Sequence, residues 1–463
     1  MNFKKFSILL VLAANGLLAA NASNIDVNAA RQTANSFVKS KMASKGMFNA
    51  PATADLKLAH TEASSVEGNA YYVFNIQGGG WVIIAGDDRA KQVLAYGDKG
   101  NIDMNNLPGS MKDYLQLYKN QIEEMQSYKG QIIAKKSIQR NTVIEPMLKS
   151  TWGQDEPMDR MCPMVSGELA AVGCGPLAMA QIMYYWKYPT ENPGLDQYYI
   201  YGLGTIPALP ATTFDYNLML DTYTIYNPTT GGVSLGTYTD EQANEVAKLC
   251  RYCGQACEVR YNSSSGSYTY DQRDAFKIMG YTNTDVKLIG IDPSYYCDNN
   301  NKYSQDEWID LIYAELEAGR PIPYHNVDFI DGHAWVLDGV DADGKFHMNW
   351  GWYERYNGWF EFGAFTVYPN GETWNFNGSG NEMVVNVYPY EGYVIPGDEP
   401  TSLRGDVNKD KEVNIADVTK LIDYLLSQDP TGIDLEAANC NQDDEVNIAD
   451  VTKLIDYLLS QTW

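Results

Sequence analysis

Residues 408–428, NKDKEVNIADVTKLIDYLLSQ, recur 33 positions later as NQDDEVNIADVTKLIDYLLSQ at 441–461. A duplication this close forces two copies of one local structure, so the end of the chain must be a small pseudo-symmetric module. Oxygen-bearing side chains run into each copy at alternate positions: Asp406, Asn408 and Asp410 followed by Asp417, and Asn439, Asn441 and Asp443 followed by Asp450. These are positions 1, 3, 5 and 12 of a loop, the spacing that wraps calcium, a cation taking ~6–8 oxygens. Val418, Leu421, Ile422 and Leu425 then share one helical face, as do Val451, Leu454, Ile455 and Leu458. Position 6 is Lys411 or Asp444, where glycine would ease the turn, and Asn439 removes a charge from the second loop. An acidic two-helix module without metal is the alternative.

The remaining chain is long enough for more than one domain and apolar enough to fold: 463 residues in all, 44% hydrophobic and 20% charged. A net charge of −25 argues against nucleic acid or an anionic membrane surface as partner. Residues 1–22 read as a secretory signal peptide, with Lys4 and Lys5, an apolar run from Phe6 to Leu18, and a small-x-small site at Ala20-Asn21-Ala22. That run is short for ~30 Å of hydrocarbon and no other stretch approaches it, so an exported protein with no membrane span is expected.

Residues 23–145 form a first unit: a helical pattern in VNAARQTANSFVKSKMAS, strand-like AYYVFNIQ and GWVIIAGDD, and a helix from about Pro108 to Tyr128. Lys129 to Glu145 is polar, basic and aperiodic, an exposed connection. Residues 146–389 form a second unit rich in Tyr and Trp. Residues 390–404 are a linker holding Pro and Gly. Residues 405–463 are the duplicated module, with 4 lysines against 13 carboxylates. The seven cysteines are odd in number and all at 162 or later, which is no disulfide framework. Cys250, Cys253 and Cys257 resemble zinc ligands, but no fourth ligand is suitably spaced. Thr239 to Gln242 is a capping box, and Ala243, Val246, Ala247, Cys250 and Cys253 fall on one face of the helix it opens, which makes those thiols core.

Cys174 stands apart, between Gly173 and Gly175 in AAVGCGPLAMAQIMYYWKYP, a stretch uncharged from the thiol to Lys187. It could be a buried thiol, half of a disulfide, or a nucleophile. Gly173 and Gly175 would admit a substrate backbone, Pro176 suits a first helical turn, and a helix N-terminus favours thiolate. A thiol nucleophile needs a base, usually histidine. Of four histidines, His60 lies in the first unit, and His325 and His347 sit inside strand-like runs where packing or exposure is the default. His333 opens GHAWVLDGV, an alternating strand, and so stands at an edge free to face a cleft. Were Asp343-Gly344 a tight hairpin turn, Asn349 would lie opposite Asp338 rather than His333. Asp338 is then a rival orienter of the imidazole, though alternation points it to the other face.

With AAVGCGPLAMAQIMYYWKYP, GHAWVLDGVD and FHMNWGWYERYNGWFEF in order, the second unit resembles the streptopain family of papain-like cysteine proteases. STWGQDEPMD, YNSSSGS and NFNGSGNEMVVNVYP match more weakly. The first unit resembles that family's inhibitory propeptide, notably in YYVFNIQGGGWVIIAGDDRAKQVLAYGDKG. The resemblance implies an α+β fold, a helical part carrying Cys174 packed on an antiparallel sheet carrying His333, preceded by an α+β propeptide. It implies Cys174 as nucleophile, His333 as its ion-pair partner and later acid, and Gln154 as oxyanion donor. It also implies Asn349 as acceptor from the imidazole, Trp350 as its shield, and an apolar residue two before the cut. No cofactor is implied for catalysis. The repeated loop-helix resembles a dockerin module, which implies structural calcium, a cohesin-like partner bound in either of two orientations through Ile415-Ala416 or Ile448-Ala449, and possible attachment to a cell surface. A secreted endopeptidase made as a zymogen, with protein substrates and its own propeptide as inhibitor, is therefore expected. The rivals are a transglutaminase-like acyltransferase using the same thiol and imidazole, and a non-catalytic binding protein of the same fold.

Overall fold

The computed structural model describes residues 24–45, 55–128, 142–227, 231–282, 285–326, 332–363, 380–390, 393–395, 404–410, 412–443 and 445–460. The signal segment 1–22, residues 129–141 of the basic connection, most of the linker, and Lys411 and Asp444 lie outside the described residues.

Ten strands form one antiparallel sheet: β1 (Leu56–Ala63), β2 (Asn69–Ile76), β3 (Trp81–Ala85), β4 (Val93–Gly97), β5 (Lys287–Gly290), β6 (Ile322–Asn326), β7 (His333–Val340), β8 (Phe346–Asn349), β9 (Gly358–Phe360) and β10 (Asn381–Val385). Their spatial order is β1-β2-β3-β4-β9-β8-β7-β6-β10-β5. The join is between β4 and β9, with Trp359 opposite Tyr96 and Phe360 opposite Ala95. The two units expected before residue 390 are thus one compact body, Met1–Glu391, and the chain divides only at Gly392. Strand pairing between residues 260 positions apart leaves no local mark in a sequence.

Helices cover both faces. α1 (Val27–Lys45) sets Ala30, Ala34 and Val38 against Tyr72, Phe74, Val82 and Ile84. α2 (Gly109–Ser127) lies on the opposite face and sets Met111, Tyr114 and Tyr118 against Trp81 and Ile83, then onward against Trp335, Trp350 and Phe360. β3 is buried on both sides for that reason. β7 is also buried throughout, although GHAWVLDGV alternates as a half-exposed strand would. Tyr114 packs edge-on against Trp335, Trp350 and Phe360 at 6.4, 5.6 and 5.5 Å, contacts worth ~0.5–1.5 kcal/mol each beyond area. Buried ions also cross the join. Lys41 Nζ lies 2.9 Å from Asp341 Oδ2, Tyr96 donates to the same oxygen at 2.8 Å, and Lys345 lies 2.9 Å from Glu361, which also pairs with Lys91.

On the remaining face of the second half, α3 (Cys174–Trp186) packs on β6 and β7, backed by α4 (Asp240–Ala256) and α5 (Thr269–Ile278). α6 (Gln305–Glu317) joins α2 on the far side. Gly175 to Met183 and Trp186 are all buried, which explains the uncharged run after the thiol. The Thr239 capping box is present, and Cys250, Cys253 and Cys257 are buried. All seven cysteines are free.

The hairpin between β7 and β8 corrects the expected register. Asp341 N bonds Lys345 O, so the turn is wider than Asp343-Gly344 alone, and the pairing shifts again at Asp338. Asn349 therefore lies opposite Val336, not Asp338.

The C-terminal unit holds α7 (Ile415–Ser427), a short α8 (Leu435–Ala438) absent from the sequence reading, and α9 (Ile448–Ser460). Val418, Leu421, Val451 and Leu454 form its core with Val407, Ile433, Ala438 and Cys440. Ile422 and Ile455, expected on that face, are 38% and 39% exposed. With only two long helices, the core stripe is narrower than the apolar pattern.

Candidate active site

The thiol is placed by backbone geometry. Gly173 caps α3 with φ 94°, and a Cβ there would stand 3.1 Å from Ser265 O, so glycine alone fits easily. Cys174 is then the first helical residue, where helix N–H groups favour a thiolate. Below it, Gln272 Nε2 donates to Gly175 O at 2.6 Å, and Gln272 Oε1 lies 2.6 Å from His325 Nε2. Gln154 is drawn to the same point because Val172 N donates to its carbonyl at 3.0 Å. Gly153 before it lies under the Tyr353 ring, 2.2 Å from where a Cβ would be.

The imidazole comes from the start of β7. His333 stacks on Trp352 at 4.8 Å, and its Nε2 lies 3.2 Å from Trp350 O. Cys174, Gln154, His333, Ala334 and Trp352 line one cleft of about 730 Å³. Pro108, Gly109 and Ser110, at the start of α2, line it too. Burial pushes the Cys174 thiol up, against hydrogen bonds from the backbone of Ala334 and Gly175 that pull it down. Burial pushes His333 down to about 4, against its bond to Trp350. In the covered cleft, burial therefore works against charge on both groups.

Residues 152–360 match the Peptidase C10 family, residues 22–122 the Spi protease inhibitor family, and residues 404–459 the dockerin type I domain. The chain is a streptopain-like C10 cysteine protease. It is 28% identical over 429 residues to streptopain of Streptococcus pyogenes, covering 84% of this chain and 100% of that one. It is 27% identical over 351 residues to the thiol protease/hemagglutinin PrtT of Porphyromonas gingivalis, covering 72% of this chain and 38% of that one. A fragment of Prevotella intermedia prointerpain A superposes with a TM-score of 0.57 at 25% identity, covering 72% of this chain and 99% of that one.

Other residues of this protease fall differently from the sequence reading. Asn349 Nδ2 donates to Ser150 O at 2.9 Å and its Oδ1 accepts from Gly351 N at 3.2 Å. Its side chain thus braces the turn that aims Trp350 O at the imidazole. Trp350 is 1% exposed and lies parallel to Trp352 at 5.3 Å. Asp338 accepts from Leu148 N and lies 2.6 Å from His347 Nδ1, which removes both residues as partners of His333. His325, expected to be a packing residue, is buried but lines the cleft, and burial and the charge of His333 push it down to about 3. Trp352 and Gln272 were missed. Trp352 was visible in NWGW, whereas Gln272 carried no signal.

In the dockerin module the loop oxygens turn inward. Asp417 is fully buried and accepts from Asn408 N and Asn414 N, while Asp410 N donates to Asp406 Oδ1 and Asn408 Oδ1. The second loop repeats this through Asp450, Asn441, Asn439 and Asp443. Lys409 and Gln442, at position 4 of each loop, take a left-handed turn at φ 65° and 60°. Among the described residues no group of three or more His, Cys, Asp or Glu could hold a metal by itself. A donor set of carboxylate and amide oxygens suits a hard cation. Ile415 and Ile448, each 69% exposed, present matching apolar contacts on the two halves. No described helix is long and apolar enough to cross a membrane.

Proposed function

We propose that the protein is a secreted endopeptidase made as a zymogen, with Cys174 as nucleophile and His333 as base and acid. What carries the reading is one cleft holding a helix-start thiol, the imidazole and Gln154, with the start of α2 among its lining residues. Once the cleft opens, solvent relieves the burial that opposes charge on both groups, and the proton passes from thiol to imidazole. The thiolate attacks the scissile carbonyl. The Gln154 amide donates to the oxyanion, a contact worth ~3 kcal/mol of barrier. His333 gives its proton to the leaving amine, and water then hydrolyses the thioester. Trp350 O and the Trp352 ring hold the imidazole, and Asn349 holds the turn that carries them.

Residues 23–145 act as the inhibitor, and activation requires a cut. Ile144 exchanges two 2.8 Å backbone bonds with Val340, so the chain belongs to the catalytic sheet from there. The cut falls between Lys129 and Val143. Residues 405–463 bind calcium through Asp406, Asn408, Asp410, Asp417, Asn439, Asn441, Asp443 and Asp450, and dock a cohesin-like partner that holds the enzyme at a surface. The deciding test is a casein-type assay with amine incorporation measured beside it. Wild type should hydrolyse without incorporating amine, and Cys174→Ala should remove hydrolysis and leave the chain at full length. Hydrolysis surviving in that variant overturns the assignment.

A further inference from the structure

The cleft contains a carboxylate that the mechanism does not use. Ala334, beside the catalytic imidazole, lies opposite His325 on β6, which lies opposite Glu382 on β10, which lies opposite Gly290 on β5. Directly paired residues present their side chains to the same face. This row therefore runs along the floor of the cleft, and His325, Ala334 and Glu382 all line it. Glu382 is 3% exposed. Its Oε1 accepts from Ser294 Oγ at 3.2 Å and Cys297 Sγ at 3.5 Å, and its Oε2 accepts from Thr269 Oγ1. All three donors are neutral, and among the described residues no cation pairs with it. A buried carboxylate so placed gains most from a cation brought to it in the same low-dielectric space.

Its position gives it a side of the scissile bond. His333 protonates the leaving amine and rests on Trp352, which follows β8. Glu382 lies in the opposite direction across the sheet, so it serves the acyl side. Neighbouring strands are ~4.8 Å apart, which sets Glu382 about 10 Å from Ala334. That is the reach of a long side chain. The way in passes the aromatic faces of Tyr268, Tyr270 and Tyr296, stacked at 5.0 and 4.3 Å, a surface that suits an aliphatic stem ending in a cation. Arg260 lies at one end of that ladder, 4.2 Å from the Tyr268 ring.

The chain supplies a matching substrate. The segment proposed for the activating cut, KGQIIAKKSIQRNTV, contains Lys129, Lys135, Lys136 and Arg140 and no acidic residue, in a chain of net charge −25. We infer that the acyl-side pocket ends on Glu382 and selects a lysine or arginine one or two residues before the cut, the activation segment being its first substrate. This rests on Cys174 as nucleophile and departs from the apolar preference implied by family resemblance.

The test uses the full chain after activation and peptides carrying Arg, Lys, Leu or Glu at each of the two positions before the cut. Arg and Lys should exceed Leu in kcat/KM by ~10- to 100-fold, the worth of a hydrogen bond to a charged group. Glu382→Gln should collapse that ratio towards one. A wild-type preference for Leu, or a Glu382→Gln enzyme slowed equally on all peptides, would overturn the inference and leave Glu382 as an anchor for Thr269 and Ser294. A second measurement does not depend on that variant folding. Changing Lys129, Lys135, Lys136 and Arg140 together to Ala should slow self-processing by a similar factor, with the mature start in wild type one or two residues after one of them. Unchanged processing counts against the inference. Cys174→Ala run beside these separates the two claims: loss of all turnover there, with no charge preference in wild type, sinks the pocket and spares the nucleophile.

Discussion

The catalytic cleft and the dockerin module solve the same problem, the convergence of polar groups on one point, at opposite ranges. Each loop of the module gathers its oxygens from 12 consecutive positions, and Asp417 reaches back only to Asn408. The cleft gathers Gln154, Cys174, His325, His333 and Glu382, and Pro108 to Ser110 also line it. A local site survives duplication because each copy carries its own geometry. A long-range site depends on every element that positions it, including a propeptide helix sharing the core of the catalytic sheet.

The widest separation between the two regions comes from Cys174→Ala. It should lower peptide hydrolysis by ~10³-fold or more, with the calcium response of the tail unchanged. Any change in calcium binding would break the comparison. Next comes Gly153→Ala. Its new methyl meets the Tyr353 ring, displacing the segment that presents Gln154, and kcat should fall ~10- to 100-fold with KM little altered. A KM effect alone would place Gln154 in binding rather than in the transition state. In the tail, Asp417→Ala removes a buried carboxylate that accepts from two backbone N–H groups and should weaken calcium-induced helix formation in residues 404–463 by about 2 kcal/mol. Asn439→Ala should cost less. Equal losses in circular dichroism titrations would mean that the two loops do not differ as their charges suggest.

The remaining contrast concerns pH. His333 and His325 are held at about 4 and about 3, below the ordinary 6.5. Below pH 6.5 the unfolded chain takes up these protons first, so the uncut protein should lose stability as pH falls from about 6.5 towards 4, by about 2 kcal/mol per histidine at pH 5. Asp159 and Asp271, raised to about 6 by burial, act in the opposite sense over part of that range. Thermal scans of Cys174→Ala at pH 7 and 5, compared with the same scans after adding His333→Ala, isolate the His333 share. The tail carries no histidine, so its melting in calcium should not show this component.

These contrasts follow what could be read directly. Cys174 was legible because its signals are adjacent: two glycines, a proline and an uncharged helix. His333 was legible from a strand start. Asn349 was not, because its position depends on the width of a turn and on the irregularity at Asp338, and its bonds go to Ser150 and Gly351. His325 looked like packing, since nothing near it in the chain reveals Gln272 across the cleft. The division at residue 145 between two units could be read from the sequence, but the β4–β9 pairing that joins them in one sheet could not.

By itself the sequence determined what is encoded within a turn or two of backbone: the duplicated loop and helix, the capped α4, the helix-start thiol, and the family resemblance those motifs carry. Tertiary structure alone decided the ten-strand continuity, the start of the propeptide helix at the cleft wall, the burial of the thiol and the imidazole, and the placement of Glu382 on the row that runs past the imidazole. The physical reason is range. Propensity and capping act over a few residues, whereas strand partners, burial and the resulting proton affinities depend on which distant segments exclude water from the same space.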